Sequence, residues 1–145
     1  MSIRHLSGIA EVVKDVEQAV NFYRETLGLQ VNHEPGTNYA EVEMPGVLHF
    51  GLWSREAAAV VIFGNHTRAG HIPLGFMIGL EVDEVENASQ QAEAKGLQFL
   101  QPPKTEDWGQ VTSRFLSPSG ALCEFSETPW ARLISQPMEV KEGQK

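Results

Sequence analysis

The chain has 145 residues, 41% hydrophobic and 21% charged, the make-up of one soluble globular domain long enough to bury a core. Its 11 Lys and Arg against 19 Asp and Glu leave a formal charge of −8, which excludes the clustered cations that hold nucleic acid or an anionic membrane surface. Cys123 is the only cysteine, so an intrachain disulfide is excluded and a reducing, cytoplasmic setting is expected. Residues 1–5 lack the apolar core of a signal peptide, and the longest apolar run, 57–63, is far too short to span a bilayer.

Residues 6–13 are predicted as the first strand. Asp15 then offers an N-cap, with Gln18 three places on to complete a capping box. Apolar residues at Val16, Ala19, Val20, Tyr23 and Leu27 fall on one helical face, and Gly28 ends the helix. Residues 29–31 start a second strand. A turn over 33–38 leads to a half-exposed strand over 39–44, and Pro45-Gly46 turns the chain into an antiparallel partner over 47–53. The result is a βαβββ module, residues 5–53. Residues 54–72 read as a connector to which composition assigns no firm element.

A second module, residues 73–127, opens with a strand near Leu74. Its helix is predicted over 85–95, entered through Asp83-x-x-Glu86 as a capping box. Pro102-Pro103 is expected to break the chain after Leu100. Residues 111–116 and 122–126 form a hairpin around Ser117-Pro118-Ser119-Gly120. In the tail, 128–145, Thr128 and Pro129 are a helix start signal. Trp130, Leu133 and Ile134 would share one face of a short helix, docked on the body or on a partner subunit, and the charged end beyond Pro137 is expected to be loose.

The modules are copies. Ile9-Ala10-Glu11-Val12-Val13, followed by Asp15 and Val16, returns as Ile78-Gly79-Leu80-Glu81-Val82, followed by Glu84 and Val85. Each copy runs on to a Gly-Leu pair, Gly28-Leu29 and Gly96-Leu97. A repeat covering half the chain fixes one pseudo-symmetric α+β domain.

With the repeat placed, the chain resembles the vicinal oxygen chelate superfamily, which groups glyoxalase I, extradiol dioxygenases, and fosfomycin and bleomycin resistance proteins. The residues that carry the likeness are Val13-Lys14-Asp15-Val16-Glu17, Phe22-Tyr23 and Leu27-Gly28-Leu29, then Leu80-Glu81-Val82, Trp108-Gly109-Gln110, and Ser117-Pro118-Ser119-Gly120 leading to Glu124-Phe125. The resemblance implies two tandem βαβββ modules in a curved mixed sheet, a concave ligand cleft and a homodimer. Against the family's D-P-x-G-N turn, Ser117 and Ala121 replace the Asp and Asn, and any role for those two side chains is expected to be lost.

Metal-bearing members of that superfamily place ligands on the first and last strand of each module. The resemblance puts Gly8, Met77, His49 and Glu124 at those points. Only His49 and Glu124 are good donors, since Gly8 has no ligand atom and a thioether is a poor ligand for a hard divalent ion. A catalytic mononuclear site normally has three protein ligands. No resident cofactor is therefore expected; the alternative is a divalent Zn, Ni, Fe or Mn on His49 and Glu124. His33, His66 or His71 could swing in from loops, while His5, three residues before Gly8, would project to the opposite face.

Strand alternation lists the cleft-facing positions as Gly8, Ala10, Val12, His49, Gly51, Trp53, Met77, Gly79, Leu122, Glu124 and Ser126. The opposite set, including Leu48, is the core under the helices. Glu11 breaks that core pattern. Such a lining, small and apolar with one imidazole and one carboxylate, suits a flat organic ligand. Trp108 would approach from the loop above the cleft. The expected ligand-binding residues are His49, Trp53, Met77, Trp108 and Glu124. The expected function is small-molecule binding of the bleomycin-resistance type. A metal-dependent lyase or isomerase of glyoxalase I type, with Glu124 as catalytic base, is the alternative, and extradiol dioxygenase a more distant one.

Overall fold

The computed structural model of the chain describes residues 1–131. The sequence repeat is a structural one. The first copy contains β1 (Ile3–Val13), α1 (Val16–Asn21), β2 (Gln30–Asn32), β3 (Tyr39–Glu43) and β4 (Phe50–Ser54). After a linking helix α2 (Arg55–Phe63), the second copy contains β5 (Gly75–Val82), α3 (Val85–Ala94), β6 (Phe99–Thr105), β7 (Val111–Leu116) and β8 (Leu122–Glu127). All eight strands join one curved, unclosed mixed sheet in the order β2-β3-β4-β1-β5-β8-β7-β6. The order reads alike from both edges toward the antiparallel β1–β5 seam, with β1 parallel to β4 and β5 parallel to β8.

Each module's helix covers the same face of the sheet. Val16, Val20 and Tyr23 pack on Val31, Ala40, Val42, Phe50 and Leu52, while Val85, Ala88 and Ala92 pack on Val82, Phe115, Cys123 and Phe125. Asp15 caps α1 by accepting from Gln18 N at 3.3 Å. The helix then opens into a π-helical turn, Phe22–Thr26. The extra residue of a π turn rotates the positions C-terminal to it about the helix axis. Tyr23, at the start of the turn, is buried as the stripe predicts, while Leu27 beyond it is left half exposed against its predicted place. Glu11, the exception in the core pattern, has a partner: Tyr23 donates its hydroxyl to Glu11 Oε1 at 2.5 Å. Burial, with that carboxylate beside it, pushes the Tyr23 phenol above its ordinary range.

The remaining differences from expectation have local reasons. The capping box at Asp83 does not form: Glu84 occupies the cap without a side-chain bond, Val85 N donates instead to Glu127 Oε2 at 2.8 Å, and Asp83 pairs with Arg4. β6 runs through Pro102-Pro103 because it is the sheet edge, where a missing N–H removes no ladder bond, and its register shifts around the prolines. β4 begins at Phe50, three residues later than predicted, and Leu48 is exposed rather than core. Ser117 keeps a role in its turn, accepting from Ala121 N at 3.1 Å.

The connector is the largest addition. Ser54 caps α2 by accepting from Ala57 N at 3.0 Å, and Gly64 ends the helix in the left-handed region at φ 72°. Arg55 Nε donates to Ile72 O at 2.7 Å, and the Lys104 ammonium donates to Val61 O. Ala58 and Ala59 are small enough to let the helix sit flat on the sheet. With Ile62 and Ile72 they cover Val12, Met77 and Leu122 on the face opposite α1 and α3. Val12 and Leu122, expected in the cleft, are therefore floor beneath α2. Residues 66–71 add a turn of 3-10 helix.

Candidate functional site

Beyond α2 the concave face stays open. A cavity of about 500 Å³ is lined by all five residues expected there, His49, Trp53, Met77, Trp108 and Glu124. Tyr39, Gln110, Arg114 and Trp130 line it as well, and the sequence reading missed them. Ser7 and Gly8 both face it, since β1 carries a bulge between Leu6 and Gly8. That bulge breaks the simple alternation used to send His5 to the opposite face. His5 does not line the cavity, and its ring nitrogens are enclosed without a partner among the described residues. Ser126, expected in the cleft, is buried behind Ser7, which it meets at 2.7 Å, and donates to Glu81 Oε1 at 3.1 Å.

Strand pairing corrects the register of the four candidate ligand points. Ile9 faces Phe50 across β1–β4, and its repeat mate Ile78 faces Cys123 across β5–β8. The position equivalent to Glu124 is thus Gly51, and His49 corresponds to Leu122. At Gly51 an added Cβ would lie 2.5 Å from the Tyr39 hydroxyl, which fills that space. The four points are Gly8, Gly51, Met77 and Glu124, with one good donor between them. Glu124 is moreover bonded to a guanidinium, whose charge repels a metal ion. The described residues contain no group of three or more His, Cys, Asp or Glu that could hold one. This donor set does not suit a resident divalent ion.

At the floor, Arg114 is 2% exposed and stands directly across the β7–β8 hairpin from Glu124. Its Nε donates to Glu124 Oε1 at 3.0 Å, and its Nη1 donates to Gln101 Oε1 and, at 3.4 Å, to Glu106 Oε2. Lys104 reaches Glu106 Oε1 at 3.2 Å. The guanidinium lies 5.5 Å above the Trp53 ring, within cation–π range. Burial raises the Glu124 carboxyl above the usual range; Arg114 opposes that shift, and Glu106 and Glu81 add to it. The hairpin turn could have disclosed Arg114, because counting outward from Ser117-Gly120 pairs Leu116 with Leu122 and hence residue 114 with 124.

The other wall is more open. His49 Nε2 meets the Tyr39 hydroxyl, and His49 Nδ1 lies 3.2 Å from Glu41 Oε2. Burial of the Tyr39 hydroxyl, with Glu41 and Glu124 nearby, pushes it above its ordinary range. Trp108 and Trp130 are half exposed. Trp108 Nε1 donates to Gln110 Oε1 at 2.9 Å, and Gln110 Nε2 donates to Thr128 Oγ1 at 2.7 Å. Trp130, assigned to a tail helix, follows Pro129 in a single 3-10 turn and lines the cavity; Leu133 and Ile134 lie outside the described residues. Of the loop histidines, His33 bonds Thr37 O and His71 packs edge-on against Phe63. Neither they nor His66 line the cavity.

Known structures share this architecture. The NAD-dependent benzaldehyde dehydrogenase structure from Legionella pneumophila is 22% identical, with 81% of this chain and 95% of that one covered at a TM-score of 0.58. A glyoxalase/bleomycin resistance protein/dioxygenase superfamily member from Vibrio splendidus is 16% identical over 86% of this chain and 100% of that one, at a TM-score of 0.56. Streptomyces coelicolor methylmalonyl-CoA epimerase (E43L), in complex with 2-nitronate-propionyl-CoA, is 19% identical over 86% and 94%, also at a TM-score of 0.56. At these identities the likeness is one of fold. No curated protein matches the chain. The family model for the Glyoxalase/Bleomycin resistance protein/Dioxygenase superfamily matches residues 5–125, and the chain belongs to that superfamily.

Proposed function

We propose that this protein binds a small, flat organic molecule in the cavity between its two modules, without a resident metal. The observation that carries the reading is the cavity wall itself. Glycine, glycine and methionine stand at three of the four points where a metal would be held, and indoles flank the space left over. A volume of about 500 Å³ falls within the usual size of ligand sites. The epimerase relative, in complex with a CoA derivative, supports the idea that this fold can hold an organic ligand. His49, Trp53, Met77, Trp108 and Glu124 are the contacts we assign, joined by Tyr39 and Arg114. We also assign a homodimer, as the superfamily resemblance implies, and a cytoplasmic setting, from the lone buried Cys123.

A lyase or isomerase reading rests on one feature, a buried carboxylate in an apolar pocket whose protonation is displaced upward. Such a group is what proton transfer next to a carbonyl requires. Two measurements separate the readings. Elemental analysis of protein purified without added metal is expected to find well under one equivalent of Ni, Zn, Fe or Mn; a stoichiometric metal lost in Glu124→Ala would overturn the binding reading. A panel of planar aromatic compounds, followed by tryptophan fluorescence, is expected to show quenching that Trp53→Phe, Trp108→Phe and Trp130→Phe each reduce.

A further inference from the structure

The floor of the cavity holds two unused hydrogen-bonding groups side by side. Arg114 commits Nε to Glu124 and Nη1 to Gln101 and Glu106, while its Nη2 has no hydrogen-bond partner among the described residues. Glu124 commits Oε1 to Arg114, while Oε2, which lies 3.2 Å from where a Gly79 Cβ would stand, has none. Both residues line the cavity. Because the groups already touch through Nε and Oε1, the free N–H and the free oxygen adjoin one another, one donating and one accepting.

The two groups already share a charge pair, with the buried Glu81 carboxylate close enough to bear on Glu124. Arg114 and Lys104 stand against Glu106 and Glu124 in one connected cluster. An anionic ligand on Nη2 would sit beside the Glu124 carboxylate, and a cationic one on Oε2 beside the guanidinium, so a charged ligand leaves one buried charge unpaired. A neutral ligand avoids this. Trp53 lines the same floor with the guanidinium over its ring, and the half-exposed indoles of Trp108 and Trp130 offer flat apolar surface at the mouth.

We infer that the ligand is a neutral, planar molecule presenting a carbonyl beside an N–H on one edge, the chemistry of a lactam or cyclic amide. The carbonyl accepts from Arg114 Nη2, the N–H donates to Glu124 Oε2, and the ring face packs on the indoles. This inference rests on the binding role proposed above and specifies the class of molecule bound.

The test is calorimetric titration of the intact protein at neutral pH with 2-quinolinone, 1-methyl-2-quinolinone and quinoline-2-carboxylate. The first carries the full edge, the second lacks the donor, and the third carries a charge. A group left buried without its partner weakens binding substantially, so 2-quinolinone is expected to bind roughly tenfold or more tighter than either analogue. In Glu124→Gln the preference for the N–H over the N-methyl compound is expected to collapse, with circular dichroism confirming that the variant is folded. Equal binding of the two lactams, or tightest binding of the carboxylate, overturns the inference and leaves the binding role standing. Silence from all three overturns it too, and removes the binding role as well where the wider aromatic panel is silent.

Discussion

Glu41 and Arg114 occupy equivalent positions in the two modules: Glu41 faces Gly51 across β3–β4, as Arg114 faces Glu124 across β7–β8. One fold thus carries two polar clusters of different character. In the first, Glu41, His49 and Tyr39 are bonded in a row on a wall open to solvent. In the second, Arg114, Glu106 and Gln101 are buried together with Glu124 beneath the cavity. Water can replace a partner lost between the partly exposed Glu41 and His49, while the Tyr39 hydroxyl is the enclosed end of the row. In the second the groups bond chiefly to one another and meet the cavity only at its floor, so the two halves should answer differently to the same kind of change.

The largest effect belongs to Arg114. Arg114→Met keeps much of the volume, strands the buried Glu124 carboxylate and leaves Glu106 with Lys104 alone, the situation in which breaking a buried pair costs about 3–5 kcal/mol. Urea denaturation is expected to show a loss of that order with an unchanged m-value. A loss below about 1 kcal/mol would mean that water enters the floor and that the contrast between the modules is false.

Much of this contrast is legible in the sequence. The repeat fixes the topology, since copies that match from Ile9 to Leu29 and from Ile78 to Leu97 must build matching halves. It places Glu124 and the indoles of Trp53 and Trp108 around one cavity. Three things are not legible, for physical reasons. Helix α2 is held by a serine cap and by burial of Ala58 and Ala59, and a run of small residues shows no apolar periodicity until something covers it. The bulge in β1 shifts face by one residue, and its local signal, Gly8, equally fits a plain close approach of strands. A count along the chain puts His49 at the ligand point, and the pairing Ile9 to Phe50, which corrects it to Gly51, is a long-range fact. Arg114 could have been found, because a hairpin register follows from its turn.

Two glycines sharpen the comparison at a smaller scale. A Cβ at Gly79 would lie 2.5 Å from Ser7 Oγ and 3.2 Å from Glu124 Oε2, and both of those atoms belong to the buried cluster or its neighbours. Gly79→Ala is expected to destabilise by about 1–3 kcal/mol, the range for overpacking a closed site. Its repeat mate in the first module is already Ala10. A Cβ at Gly51 meets the Tyr39 hydroxyl at the same 2.5 Å, but that ring is exposed and can turn aside. Gly51→Ala should therefore cost less, and thermal melts that rank the two the other way would show the Tyr39 wall to be the rigid one.

Titration offers a third handle, with a sign opposite to ordinary acid denaturation. The Glu124 carboxyl is raised by burial, so the folded state favours its proton more than the unfolded chain does. Its contribution to stability is fully present below the usual carboxylate range. It is lost as pH rises from that range through the raised value, by about 1.4 kcal/mol for each unit of separation. Melting temperatures of the wild type relative to Glu124→Gln should fall over that interval. A flat or rising difference would place Arg114's charge, rather than burial, in command of the site.

The smallest expected effect falls on the open wall. His49 and Glu41 are both partly exposed, their contact is 3.2 Å, and pairs of this kind contribute roughly 0.2–1 kcal/mol. A double-mutant cycle of His49→Ala and Glu41→Gln is thus expected to give a coupling under about 1 kcal/mol, with the melt barely moved. Binding should respond more than folding does. The His49 ring adjoins Gly8 at the cavity wall, where an added Cβ would lie 3.3 Å from the His49 Cβ, and it holds the Tyr39 hydroxyl over Gly51. Without the imidazole, that hydroxyl loses its partner and the wall loses its shape. His49→Ala should weaken the tightest aromatic ligand several-fold while leaving stability within about 1 kcal/mol of wild type. If ligand affinity is untouched as well, the open wall takes no part in recognition, and the ligand is held by the Arg114–Glu124 floor and the indoles alone.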